Sequence, residues 1–353
     1  MKIIKIDKTD YALGIIKTLS DSYRLFGAVK EKDFYTFKRL DKGQMPNLSF
    51  FNSHLSPKSI IFPHSQTMFC YTTDEKKEDC NLIKEVEKEY LPQLILGIRP
   101  CDAASFLLVK KNFDTTEYKD PFWIEAYNFT TFVGLACKKP HSTCFCTTAG
   151  SGPFDESGLD ILLVDFDEYF LAKVITEKGE KLVQSGDWAR GISEVPDSEV
   201  SKIEAERKKA EEKINSFIST EKIKNKTILE LYEAPFWEEE TFSCINCGTC
   251  TYACPTCWCF DIQDENNGCE GVRMRNWDSC MFPIFTLHGS GHNPRAEKYQ
   301  RVRQRFMHKL KYYVDKYGDG IQCVGCGRCI RLCPVNIDIR RICKIMNSYE
   351  PAL

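Results

Sequence analysis

The sequence has no apolar run near the ~20 residues needed to span a bilayer. Its longest candidates, around Gln93–Ile98 and Ile161–Phe166, are short enough to be buried strands, so no direct membrane insertion is expected. It also lacks a charge bias: 48 Lys and Arg face 50 Asp and Glu, a net charge of −2, which excludes a strongly basic nucleic-acid binder in bulk. There is no G-x-G-x-x-G between a strand and a helix and no phosphate-binding G-x-x-x-x-G-K-[ST], so a dinucleotide fold within the chain is not expected. The GSG at Gly150–Gly152 precedes Pro153 and reads as a turn. The opening residues MKIIKIDKTDYALGIIKTL have no apolar core followed by small residues, so they do not read as a signal peptide. A cytoplasmic location is the expectation. With 353 residues and 42% hydrophobic composition, the chain can build two or three cored domains.

What is abundant is cysteine, 19 in all, an odd number. Without a secretory signal a disulfide framework is the poorer explanation, and reduced thiols are free to bind metal. The run CINCGTCTYACP places Cys244, Cys247, Cys250 and Cys254 at spacings x2, x2 and x3 before Pro255. CVGCGRCIRLCP repeats it with Cys323, Cys326, Cys329, Cys333 and Pro334. This is the spacing of bacterial two-cluster ferredoxins, in which the fourth Cys serves the other cluster. Cys244, Cys247, Cys250 and Cys333 are therefore expected to hold one 4Fe–4S cluster, and Cys323, Cys326, Cys329 and Cys254 a second. Gly248, Gly325 and Gly327 would let backbone amides approach the sulfurs. The fourth Cys is expected to begin a short helix that Pro keeps from extending backwards. Structural zinc is the alternative, but a zinc ion needs only four ligands and has no use for this doubled pattern.

The two repeats are 68 residues apart. Within that insertion Cys257, Cys259 and Cys280 either bind a further cluster, with His292 of GSGHN a candidate fourth ligand, or are small buried apolar groups beside the other two. In the amino-terminal half, Cys101 follows QLILGI and Cys137 follows TFVGLA. If these two runs are neighbouring strands, their carboxyl ends bring Cys101 and Cys137 together, and the loop Lys138–Thr143 returns Cys144 and Cys146 to the same place. Asp102 would cap the following helix, Ala103–Lys111. Iron–sulfur, zinc and unrelated buried thiols all fit this less standard spacing. Cys70, Cys80 and Cys343 have no partners in sequence and read as structural.

The expected class is α+β: an amino-terminal mixed α/β domain over residues 1–195, a charged helical linker over 196–226, and a ferredoxin-like helical domain with a long insertion over 227–353. Strands are expected at Lys2–Ile6, Ser59–Phe62, Thr67–Thr72, Gln93–Ile98 and Thr131–Ala136, with a hairpin from Ile161–Phe166 and Tyr169–Ile175. Helices are expected at Tyr11–Val29 and Asn81–Tyr90. The linker reads as a solvated helix. The basic stretch Arg295–Lys311 reads either as a solvated face or as a docking surface and a source of positive charge for nearby clusters.

The ordered set GIRPCD, GLACKKPHSTCFC, SCINCGTCTYACPTCWCF, RNWDSC, GSGHNPR and CVGCGRCIRLCPVNI resembles the beta subunits of cytosolic sulfhydrogenases and the corresponding iron–sulfur subunit of anaerobic sulfite reductase. The resemblance runs from about Leu94 to the end. It implies an iron–sulfur electron conduit, itself non-catalytic, beside a flavin subunit that oxidises NADH or NADPH and a separate catalytic subunit of hydrogenase, sulfite reductase or disulfide-reductase type. Cys101, Cys137, Cys144 and Cys146 fall on Cys positions of the family, which favours a third 4Fe–4S cluster. Cys257, Cys259, Cys280 and His292 match too; Cys70, Cys80, Cys269 and Cys343 do not. The competing readings are an autonomous reductase with a site-differentiated cluster near Cys257, Cys259 and Cys280, and a zinc-bearing nucleic-acid module using Arg295–Lys311.

Overall fold

The computed structural model describes residues 2–15, 19–86, 91–185 and 195–351. Its strands are β1 (Lys2–Asp7), β2 (Arg24–Glu31), β3 (Phe34–Arg39), β4 (Ser65–Thr72), β5 (Lys84–Glu85), β6 (Gln93–Ile98), β7 (Thr130–Leu135), β8 (Ile161–Phe166), β9 (Tyr169–Val174), β10 (Phe260–Asn267) and β11 (Glu270–Trp277). Helices and strands share the chain, as the α+β expectation has it.

The first sheet has the order β1-β9-β8-β7-β6-β2-β3. Its middle, β2-β6-β7-β8, is parallel, and β6 and β7 are buried almost throughout, as continuous apolar runs covered on both faces must be. One face packs Ile95, Phe106, Phe132 and Leu162 against helices Pro100–Phe113 and Pro121–Asn128. The other packs Leu94, Val133 and Leu163 against Ile4, Tyr11 and Phe170. Each such side chain contributes roughly 1.5–3 kcal/mol through burial. The expected hairpin is present, with β8 and β9 antiparallel and Phe166 opposite Tyr169.

Several local expectations fail for identifiable reasons. In place of a helix over Tyr11–Val29 there is a helix at Lys8–Gly14, a turn at Ser20–Ser22 and then β2; residues 16–18 lie outside the described set. Pairing of β2 with β3 and β6 wins over local helical pattern. Ser59–Phe62 is not a strand. Lys58–Ile61 forms a helical turn, with Pro57 (φ −71°) preset for the entry. Asn81–Tyr90 is not a helix in its described part, where Asn81 takes φ 62° and Lys84–Glu85 pairs with β4; residues 87–90 lie outside the described set.

A second sheet, β10-β11-β4-β5, joins distant parts of the chain. The hairpin β10–β11 comes from the insertion between the cysteine repeats, and β11 pairs antiparallel with β4 from Asn276↔Ser65 to Glu270↔Thr72. The charged helix Asp197–Glu211 is not fully solvated: Ile203 and Ala210, one heptad apart on one face, enter the core above the first sheet.

The carboxyl-terminal cysteines sit on short turns around a third core built from Trp237, Phe306, Leu310, Ile342 and Met346. Helix Lys298–Met307 continues through a π-helical segment, His308–Tyr312, into Tyr313–Tyr317. The basic stretch is not a solvated face. Arg301, Arg303, Arg305, Lys309 and Lys311 are all buried.

Candidate functional site: thiol cages and buried cations

Each repeat folds as a loop leading into a one-turn helix, Thr249–Tyr252 in the first and Arg328–Arg331 in the second. The fourth cysteine follows this helix and does not begin one; Cys254 and Cys333 lie in the turns after it, where Pro255 and Pro334 oppose helix continuation. The loops superpose in chemistry. Gly325 (φ 64°) donates its amide to Cys323 Sγ at 3.5 Å, and Asn246 (φ 52°), in the same place of the first repeat, donates to Cys244 Sγ at 3.3 Å. Asn is the non-Gly residue that tolerates the left-handed region best. Aligning the two repeats would have found it. Ile337 gives a third amide, to Cys333 Sγ at 3.3 Å. Gly248 and Gly327 serve close packing: an added Cβ would stand 2.9 Å from the Phe282 ring or 2.3 Å from Thr143 Oγ1.

The fold crosses the fourth cysteines of the two repeats. Cys333 of the second repeat lines a cavity with Cys244, Cys247 and Cys250 of the first. Cys254 of the first repeat faces Cys323, Cys326 and Cys329 of the second. Cys250 and Cys329 also face each other, so the two sets adjoin.

A third set forms at the carboxyl ends of β6 and β7, which are parallel neighbours. Cys101, Cys137, Cys144 and Cys146 line one cavity, and Cys326 and Gly325 close its far side. The loop bearing Cys144 and Cys146 is sealed to the second repeat by Phe145 N to Gly325 O, 2.9 Å. Asp102 does not cap a helix starting at Ala103. The helix begins at Pro100, and Asp102, wholly buried, pairs with wholly buried Arg328 at 2.6 and 2.7 Å. Buried Arg99, unremarked in the sequence, holds the two strand ends through Leu135 O at 3.2 Å and Ala136 O at 3.1 Å.

Cys257, Cys259 and Cys280 line a separate cavity with His308 and Lys309. His292 is not on that wall; its ring lies against His288. Cys343 is buried in the third core, and Cys269 is exposed at the β10–β11 turn.

The electrostatics of these sets call for a cation. Burial pushes the Cys144, Cys146 and Cys329 thiols up, to about 11, about 12 and about 11, and raises Cys101, Cys137 and Cys250 as well. Such thiols become thiolates only when iron or another cation takes their protons' place. Cys254 goes the other way. A hydrogen bond from Cys257 lowers it well below its ordinary value against burial, and Lys309 (3.2 Å) assists. Arg305 is 4% exposed, lines both the first cavity and the Cys257 cavity, and its Nε and Nη2 have no hydrogen-bond partner among the described residues. Burial opposes its charge, but Cys250, Cys329, Cys257 and Cys254 outweigh burial and raise its pKa.

Tetrahedral zinc, with bonds of about 2.3 Å, would draw four sulfurs to about 3.8 Å of one another. Among the described residues no three His, Cys, Asp or Glu side chains close on one ion in this way. The donor set, the amides aimed at sulfur and the unpartnered arginine fit a larger, anionic, thiolate-bound group.

These features define an iron–sulfur protein, and residues 243–337 match the family of 4Fe-4S dicluster domains. Along its length the chain is 28% identical over 344 residues to the Sulfhydrogenase 2 subunit beta of Pyrococcus furiosus, covering 96% of both chains. The resemblance carried by the cysteine motifs thus extends through the first sheet as well. Among the described residues, no helix is long and apolar enough to cross a membrane.

Proposed function

We propose that the chain is the iron–sulfur electron-transfer subunit of a sulfhydrogenase-type oxidoreductase complex. In this reading it works in the cytoplasm of an anaerobic cell between a flavin subunit that oxidises NADH or NADPH and a catalytic subunit. The observation that carries the reading is the adjacency of three thiol sets in one row. Cys326 belongs to the middle set and also walls the cavity of Cys101, Cys137, Cys144 and Cys146. On the other side Cys329 of the middle set faces Cys250.

Bound 4Fe–4S clusters supply one-electron redox chemistry. The chain's own residues set where it happens and at what cost. The eight carboxyl-terminal thiols hold two clusters in the crossed pattern, and the four amino-terminal thiols hold a third. Asn246, Gly325 and Ile337 aim amides at sulfur, and buried Arg305 and Lys309 add positive charge, both of which favour the reduced state. The apolar side chains of the third core keep water from the middle of the row. Cys247 is exposed, with Ile245 and Phe242 also exposed beside it, which gives the outer end of the row an apolar rim suited to a partner subunit. The proposed division into residues 1–195, 196–226 and 227–353 then separates the third cluster's sheet from the dicluster part, although β11 and β4 bind the two together.

The test is anaerobic co-purification of the complex, followed by Cys247→Ser or Cys326→Ser. Loss of one cluster per chain and uncoupling of pyridine-nucleotide oxidation from the partner's reaction are expected. Unchanged coupling with a full iron count would overturn the ligand assignment.

A further inference from the structure

Of the thiols outside the row, Cys257, Cys259 and Cys280 share the wall of one cavity of about 240 Å³ that opens to solvent. Three separate segments build it. Cys257 and Cys259 come from the loop after the first repeat. Cys280 comes from the end of β11, and Asp278 N to Cys259 O, 3.0 Å, fixes that segment beside the loop. Arg305, His308 and Lys309 come from the long helix and its π-helical segment. A π-helical insertion re-aims side chains, and such insertions concentrate at functional sites.

Two buried cations, Arg305 and Lys309, line this cavity, and a third, Lys58, lies against the loop that carries Cys257. Lys58, Arg305 and Lys309 are 5%, 4% and 2% exposed. None of the three forms an ion pair with a carboxylate among the described residues. Lys58 donates to three carbonyls, of Thr251 (3.2 Å), Cys254 (3.0 Å) and Cys257 (2.9 Å), and lies over the Trp277 ring at 4.2 Å. Lys309 donates to Cys254 Sγ, Thr256 Oγ1 (2.8 Å) and Gln322 O (3.3 Å). Buried charge is tolerated only when paired. Thiols of the dicluster sets, Cys250, Cys254, Cys323 and Cys329, face these cations, and so do Cys257 and Cys259 of this cavity.

We propose that Cys257, Cys259 and Cys280 bind a further 4Fe–4S cluster, held by three thiolates, whose fourth iron faces the cavity without a protein thiolate and accepts a small exogenous ligand. The cavity supplies room for such a ligand, and its wall carries Arg305 and Lys309, which suits a small anionic one. The site branches from the row, since Cys257 hydrogen-bonds to Cys254 of the middle set and Arg305 borders both this cavity and the first. It stands beyond the relay reading and does not depend on which partners the chain serves.

The test compares wild type with Cys259→Ala/Cys280→Ala, both isolated without oxygen. Iron, sulfide and zinc are counted, and dithionite-reduced samples are examined by electron paramagnetic resonance before and after cyanide. The double variant is expected to lose about four irons and four sulfides per chain relative to wild type while the resonances of the other clusters persist. Cyanide is expected to shift one resonance in wild type and none in the variant. Should the variant fail to fold, the wild-type response to cyanide decides. An unchanged iron count in the folded variant, a loss of zinc in place of iron, or wild-type resonances indifferent to cyanide would each overturn the assignment.

Discussion

Arg328 joins the second cysteine repeat to the amino-terminal half of the chain. Its guanidinium is wholly buried and grips wholly buried Asp102 through two hydrogen bonds, 2.6 and 2.7 Å. It also donates to Ser53 O at 3.0 Å and Ser53 Oγ at 2.9 Å, so one residue of the second repeat ties together two separate stretches of the amino-terminal half. Replacing it by Met, of similar length, removes the cation and leaves a buried carboxylate beside Cys101. Breaking a buried pair from one side costs about 3–5 kcal/mol, because the survivor keeps its desolvation penalty. With a slope of about 3 kcal/mol per molar urea, the unfolding midpoint of the anaerobic holoprotein should fall by about 1–1.7 M, followed by tryptophan fluorescence and cluster absorbance. The double variant Asp102→Leu/Arg328→Met should recover at least half of that loss, since no orphaned charge remains. A single-variant drop below about 0.3 M, under about 1 kcal/mol, would refute the view that this pair clamps the second repeat onto the first sheet.

Two other perturbations address the same seam and its thiols. Gly325→Ala forces a side chain onto φ 64° and puts Cβ 2.5 Å from Cys146 N. Left-handed strain of ~1–2 kcal/mol and overpacking of ~1–3 kcal/mol add, so urea unfolding should show a loss of about 2–5 kcal/mol, and a loss under ~1 kcal/mol would sink the close-approach argument. Cys137→Ser should lower iron and sulfide by about four each per chain and leave the resonances of the dicluster domain in place; an undiminished count would remove the third cluster from the proposal.

The chemistry was more legible in the sequence than the local structure. The doubled x2-x2-x3 spacing holds its information in a few adjacent residues, so Cys333 could be grouped with Cys244, Cys247 and Cys250 before any fold was known, and the fold places the four on one cavity. The meeting of Cys101 with Cys137 was equally readable, because two continuous apolar runs such as QLILGI and TFVGLA favour adjacent parallel strands. Helix and strand boundaries were not. β2 is a strand because β3 and β6 flank it, and Lys58–Ile61 is helical because Pro57 starts it; neither cause has a long-range signature. The role of Arg295–Lys311 was hidden for a related reason. Charged residues at helical spacing look solvated, and only the packing of Phe306 and Leu310 beside them reveals a helix buried on nearly every side.

That burial bears on how the carboxyl-terminal half folds at all. The near-neutral total charge conceals an uneven placement, since Lys58, Arg305 and Lys309 lie inside while their balancing acids do not. Without iron, burial raises the Cys250, Cys323 and Cys329 thiols, and three cations would then stand in a low-dielectric interior with little beyond Cys254 and Cys259 to offset them. With iron, the same thiols are held ionised and the cations become favourable. The cations that would weaken an empty scaffold therefore stabilise a filled one, which couples cluster insertion to folding in this half of the chain. The first sheet is different in kind. Its two apolar faces close around Ile95 and Leu94 without help from any thiol, so it can stand as the template against which the cluster-bearing loops are set.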